Sequence, residues 1–159
     1  MKEQEMNLTE IKDYIIKKYP NSCLAHNYPD NKRYYDECEE ELIEECTNFF
    51  YYEKLNWCGC GSPETAKIVI RDFLRILDTD MKNKDIDWRT RSKKRYKMMK
   101  ERFGVDSVYD NELLLCFAYA MDAAEFTEHG SSICGAWISD EGKMFLWLLE
   151  RDKELDEEE

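Results

Sequence analysis

Apolar residues recur at helical spacing along most of this chain. In "TEIKDYIIKKY", residues 9–19, Ile11, Ile15 and Tyr19 share one face, Thr9 can cap the start and Pro20 stops the run. A loop is expected from Pro20 to Asp30. Asp30 then caps a long helix over 31–53, with Tyr35, Cys38, Leu42, Cys46 and Phe49 as its stripe. Ser62 and Pro63 open a further helix, "PETAKIVIRDFLRIL", which turns Ala66, Val69, Ile70, Phe73 and Leu77 inward. Residues 86–103 read as a helix ended by Gly104, with Trp88, Tyr96, Met99 and Phe103 as an apolar seam. Residues 110–124 form the most apolar helix.

Between Glu125 and Ser139 the period changes. The short alternation around Ile133–Ile138 suggests two brief strands, followed by a last amphipathic helix. The pattern therefore predicts a mainly α protein: a compact helical domain with a short β-hairpin near residues 126–139. Helix, strand pair and helix in that order are compatible with a winged-helix-like C-terminal part, an analogy that carries no function by itself. One domain is expected over 1–152, followed by an acidic tail at 153–159.

Charge changes the picture more than composition does. The chain of 159 residues carries a formal charge of −12, yet residues 82–102 alone sum to +7 and leave −19 on the remainder. Such a protein is a poor generic nucleic-acid binder, because most of its surface repels phosphate. The stripe instead suits a protein partner, or the acidic face formed by Glu39, Glu40, Glu41, Glu44 and Glu45 of the same chain. Trp88, Lys93, Lys94, Arg95 and Lys97 are the candidate partner-binding residues. The opening "MKEQEMNLTE" lacks the apolar run of a signal peptide, and no stretch approaches membrane-spanning length. The expected compartment is the cytoplasm, with no membrane partner and the seven cysteines reduced.

The stretch "NWCGCGSPE" is the candidate for chemistry. Thiolates are good zinc ligands, and Gly59 and Gly61 could let a tight C-x-C turn present both sulfurs. Cys58, Cys60 and His129 are the candidate metal ligands, with zinc as the cofactor. Cys23 and His26 are further candidates, and Cys116 and Cys134 are weaker ones for their apolar surroundings. The bland reading is a turn with buried thiols. A disulfide between residues 58 and 60 would be strained. In "EHGSS", His129 with Ser131 or Ser132 could form a base and a nucleophile, but no glycine-flanked serine elbow is present. No catalytic residue is assigned.

The blocks "LNWCGCGSPE" and "LLLCF…TEHGSS…GAWISDEGK" resemble those of a group of small proteins encoded by phages and prophages of Gram-positive bacteria. The resemblance spans roughly residues 55–150 and rests on Cys58, Cys60, Thr127, Glu128, His129, Gly130 and Trp137. Cys134 departs from the small residue usual at its position. What the resemblance implies is an accessory protein acting in the host cytoplasm; it carries over no activity.

Three functions follow as expectations. The first is a non-enzymatic accessory protein that binds a host or phage protein and counteracts host defence. The second is a nucleic-acid-associated module using the basic helix 86–103. The third is a metal-dependent enzyme at Cys58, Cys60 and His129.

Overall fold

The computed structural model describes residues 6–55 and 62–156, so Cys58 and Cys60 lie outside the described residues. Among these residues the protein is mainly helical, with one small antiparallel sheet. In chain order the helices are α1 (Leu8–Lys18), α2 (Cys23–Asn27), α3 (Lys32–Glu37), α4 (Glu39–Asn48), α5 (Pro63–Lys82), α6 (Trp88–Phe103), α7 (Glu112–Ala123), α8 (Asp140–Arg151) and α9 (Lys153–Asp156). A π-helical turn, Phe49–Lys54, continues α4, and strands β1 (Thr127–Glu128) and β2 (Trp137–Ile138) lie between α7 and α8. Thr127 pairs with Ile138 and Glu128 with Trp137.

The starts of the helices follow local chemistry. Asn7, Ser62, Asp87, Asn111 and Ser139 each cap a helix by accepting a backbone N–H three residues on. Asn7, rather than Thr9, performs this role for α1. Gly104 closes α6 at φ 75°, a conformation that costs glycine little.

The expected single helix over 31–53 is instead two helices and a π-turn. It breaks at Cys38, whose backbone is non-helical (φ −122°, ψ 88°). Restarting at Glu39 places Glu39, Glu40 and Glu41 in a first turn, where three carboxylates meet the positive end of the helix dipole. In the expected loop 20–30, Ser22 caps the short α2 and Leu24 is buried. The α5 helix runs past Leu77 to Lys82, because its buried stripe continues onto Asp80, a carboxylate with arginine partners. Of the residues expected as an acidic tail, Lys153–Asp156 form α9, and Leu155 is 1% exposed in the core.

The core is one cluster in which α5 is central, packed against α6, α8 and β2. Phe50 of the π-turn, Phe126 and Phe145 of α8 meet with ring centroids 4.9–5.7 Å apart. Fully buried phenylalanines stabilise by about 1.5–3 kcal/mol each, so this trio is a principal link between the N-terminal half and the hairpin. No described helix is long and apolar enough to cross a membrane.

Candidate functional site

The basic helix α6 docks through charge as much as through apolar packing. Of its 16 residues only Met99 is buried. The expected seam therefore splits: Met99 faces the core and Phe103 packs against it, whereas Trp88 and Tyr96 are 71% and 54% exposed. Two acids of α5 hold the helix in place. Asp80 accepts Arg91 Nε and a second guanidinium N–H at 2.9 Å each, and Asp72 accepts Arg102. Among the described residues no ion pair joins the acidic face of α4 to α6, and Glu40 pairs instead with Lys153 of α9.

Arg95 binds inward. It donates to the carbonyls of Ala136 at 2.8 Å and Cys134 at 2.9 Å, with Asp80 Oδ2 3.4 Å away. Burial pulls its pKa down while Asp80 opposes that, yet a guanidinium stays charged throughout the working range. Arg95 thus fastens the 133–136 turn to α6 and is a positioning residue, unlike the other four candidates. Among the described residues, Lys93 and Lys94 have no ion pair or hydrogen bond, and Lys97 has only a loose pair with Glu101 at 3.9 Å.

This fastening creates a groove of about 310 Å³ between α6 and the hairpin turn, lined by Trp88, Ser92, Tyr96, Met99, Ser107 and Cys134 among others. Trp88, Ser92 and Tyr96 follow one another at intervals of four along its wall, and Arg89 and Lys93 flank that line at the same spacing. Beyond the groove, Tyr109 and Ser132 oxygens are 3.4 Å apart, and Ser132 Oγ is 3.0 Å from Cys134 Sγ. The arrangement offers flat aromatic surface, small hydroxyl groups and mobile-stemmed cations, the chemistry of a binding surface.

The residues of the "TEHG…GAW" block mostly hold the hairpin. Trp137 Nε1 donates to Glu128 Oε2 at 2.9 Å across the two strands. His129 Nδ1 lies 2.8 Å from the Gly130 carbonyl, and Nε2 lies 3.5 Å from Asp122 Oδ2. Cys116 and Cys134 are exposed, not in the apolar surroundings expected of them, whereas Cys46 is buried, which pushes its thiol up to about 12. Cys23 is exposed and its backbone N–H faces Glu53. Among the described residues no three His, Cys, Asp or Glu side chains converge as a metal site would require.

Asp80 and Arg91 were not singled out by pattern, although Asp80 sits on the Phe73–Leu77 stripe at i+3. An acid on a buried stripe near a cationic helix is the signal that finds this pair. Comparison with protein-family models, curated proteins and solved structures finds no match for this chain.

Proposed function

We propose that the protein is a non-enzymatic phage accessory module that docks a host or phage protein in the cytoplasm, through α6 and the groove beside it, and so counters host defence. The supporting observation is that Met99 alone of α6 is fully buried, with Met98 and Phe103 packed beside it, while Trp88 and Tyr96 stand exposed beside unpaired cations. Exposed aromatics rimmed by charge are the usual composition of binding hot spots. The partner segment this chemistry suits is acidic with an apolar residue to lie against Trp88. Its test is the affinity for the protein co-purified from host cells. Trp88→Ala is expected to weaken binding about thirty-fold, the effect of losing about 2 kcal/mol. Lys93→Glu with Lys94→Glu should weaken it further at low salt than at high salt. Unchanged affinity in both would reject the reading.

Duplex DNA is the competing ligand of α6. With Arg95 turned inward, three of the four central cations can reach phosphates, so Lys93, Lys94 and Lys97 together supply a salt slope of about −2.7 in log K. Sub-micromolar duplex binding at physiological salt, lost on reversal of Lys93, Lys94 and Lys97, would establish the nucleic-acid reading instead.

A zinc clasp of Cys58, Cys60 and His129 is a second proposal, supported by the histidine's setting. With Nδ1–H donating to the Gly130 carbonyl, Nε2 and Asp122 Oδ2 together present a nitrogen and an oxygen to a cation. About one equivalent of zinc is expected in protein purified without chelator, and Cys58→Ser should remove it and lower the melting temperature. Absence of metal, with melting unchanged by Cys58→Ser and His129→Ala, would leave the stretch a turn.

A further inference from the structure

A second concavity, of about 350 Å³, lies between residues 18–22 and the π-turn and shares no lining residue with the α6 groove. Its walls include Lys18, Tyr19, Pro20, Asn21, Phe49 and Lys54. Beside it is a buried polar cluster drawn from three parts of the chain. Glu141 Oε1, from α8, accepts the Tyr14 hydroxyl at 2.8 Å, the Tyr19 hydroxyl at 2.5 Å and Lys18 Nζ at 3.3 Å. Lys54 Nζ, at the end of the π-turn, meets Glu141 Oε2 and donates to the Tyr19 hydroxyl at 2.8 Å. Such π-helical turns concentrate at functional sites. Here the turn carries Lys54 inward while keeping Phe49 and Phe50 in the core.

Two ammonium groups share the Glu141 carboxylate, and their environments differ. The Lys18 side chain is 47% exposed, whereas Lys54 is 8% exposed. Two further acids stand nearby. Glu53 lines the cavity, its carboxylate facing the Cys23 amide at 3.3–3.4 Å, and Glu125 at the end of α7 acts on Lys54 through space. Burial outweighs Glu125 and pulls Lys54 down to about 8, while the Tyr14 hydrogen bond moves Lys18 up. Paired groups driven apart in this way divide into a base and an acid.

We propose that Lys54 is a nucleophilic amine lining a small-molecule cavity, where it captures a small aldehyde as a Schiff base, the body of the aldehyde lying against Phe49 and Pro20. The neutral Lys54 nitrogen adds its lone pair to the carbonyl carbon, and the carbonyl π pair moves onto oxygen, which takes a proton from the Lys18 ammonium. The new C–N⁺ centre returns a proton to Lys18. Lys18 then protonates the hydroxyl, the C–O bond breaks, water leaves and the nitrogen lone pair closes C=N. One amine, one aldehyde and the Lys18 proton become one protonated imine and one water; Lys18 is left neutral and regains its proton from solvent, and the protonated imine keeps Glu141 as its counter-ion. No oxidant or reductant takes part.

The test treats the full chain at pH 8 with limiting benzaldehyde and sodium cyanoborohydride, which reduces any imine to a stable benzylamine, and maps the product by peptide mass spectrometry. Lys54 is expected to be labelled ahead of the exposed Lys93 and Lys94. Lys54→Arg should remove that label, but the substitution also disturbs a buried pair. Asn21→Trp, which fills the cavity wall and keeps Lys54, is therefore the second variant. It should cut Lys54 labelling about tenfold and leave Lys93 unaffected. Labelling of Lys93 and Lys94 with Lys54 untouched would overturn the proposal, as would Lys54 labelling that Asn21→Trp does not change.

Discussion

Gly142→Ala is expected to destabilise the protein by about 3 kcal/mol or more and to lower its melting temperature by roughly 6–12 °C. Helix propensity argues the other way, since Gly142 lies in the first turn of α8 and alanine is the better helix former. The tertiary contact decides the sign. A Cβ at this position would stand 2.1 Å from the Phe126 carbonyl oxygen and 2.8 Å from Ile138 Cγ1. The nearer atom is backbone, and it already accepts the Ser139 amide at 3.0 Å. Relief would require α8 to back away from the hairpin and part the Phe126 and Phe145 rings, whose centroids are 4.9 Å apart. Gly130→Ala, where an added Cβ meets nothing within 4 Å, is the control that should change little. Thermal unfolding of the two variants reads the difference directly, and equal midpoints would refute the close approach of α8.

The second large effect is expected at Glu141. Removing this carboxylate by Glu141→Ala leaves Lys54 buried without its counter-ion and strips the Tyr14 and Tyr19 hydroxyls of their acceptor. Breaking one side of a buried pair costs about 3–5 kcal/mol. Replacing both sides, as in Lys54→Met with Glu141→Leu, should recover a good part of that loss, because desolvation of two charges disappears with their attraction. A double-mutant cycle in urea measures the recovery; a double variant as unstable as Glu141→Ala would show that burying the pair imposes little penalty.

The same cluster has a signature in pH. Lys54 is lowered from its ordinary 10.5 to about 8. Between those values the unfolded chain binds the proton that the folded chain has released, so this group makes stability rise with pH across that window. Lys54→Met should flatten the slope of unfolding free energy between pH 8 and 9.5. Working to that limit keeps the measurement below the titration of the tyrosines, of which Tyr19 and Tyr51 are raised by burial and act in the opposite direction.

The elements most legible from pattern were those whose apolar residues keep one period from start to finish. Ser62–Pro63 and the Ala66–Leu77 stripe announce α5, and Ser139 announces α8, because caps and amphipathic faces are local properties. The break at Cys38 was hidden, since Tyr35, Cys38 and Leu42 continue the helical spacing through it; helix-dipole electrostatics, not periodicity, makes Glu39 a start. The extension of α5 to Lys82 was hidden for a related reason: Asp80 joins the buried face only because Arg91 and Arg95 come to it from another helix.

The candidate site divides along the same line. That α6 is cationic and carries Trp88 and Tyr96 can be read from the residues alone. Which cations are free cannot, because Arg95 and Lys94 are neighbours of like charge, and only the fold turns one toward Ala136 and leaves the other in solvent. Lys54 and Glu141 gave no signal either. Lys54 follows an aromatic run and Glu141 lies in the acidic first turn of a helix, and their meeting depends on the π-turn bringing the end of α4 to the start of α8. The metal expectation rests on residues 58 and 60, beyond the described part of the chain.

The most direct measurement of the proposed docking surface is site-specific photo-crosslinking in host cells. A benzophenone side chain placed at Ser92, on the groove wall, is expected to form a discrete adduct with a single host or phage protein. The same group at Tyr34, exposed on α3 outside that groove, should form none, and Trp88→Ala should abolish the Ser92 adduct. Equal crosslinking from positions 92 and 34, or an adduct at 92 that survives Trp88→Ala, would contradict a partner seated on α6.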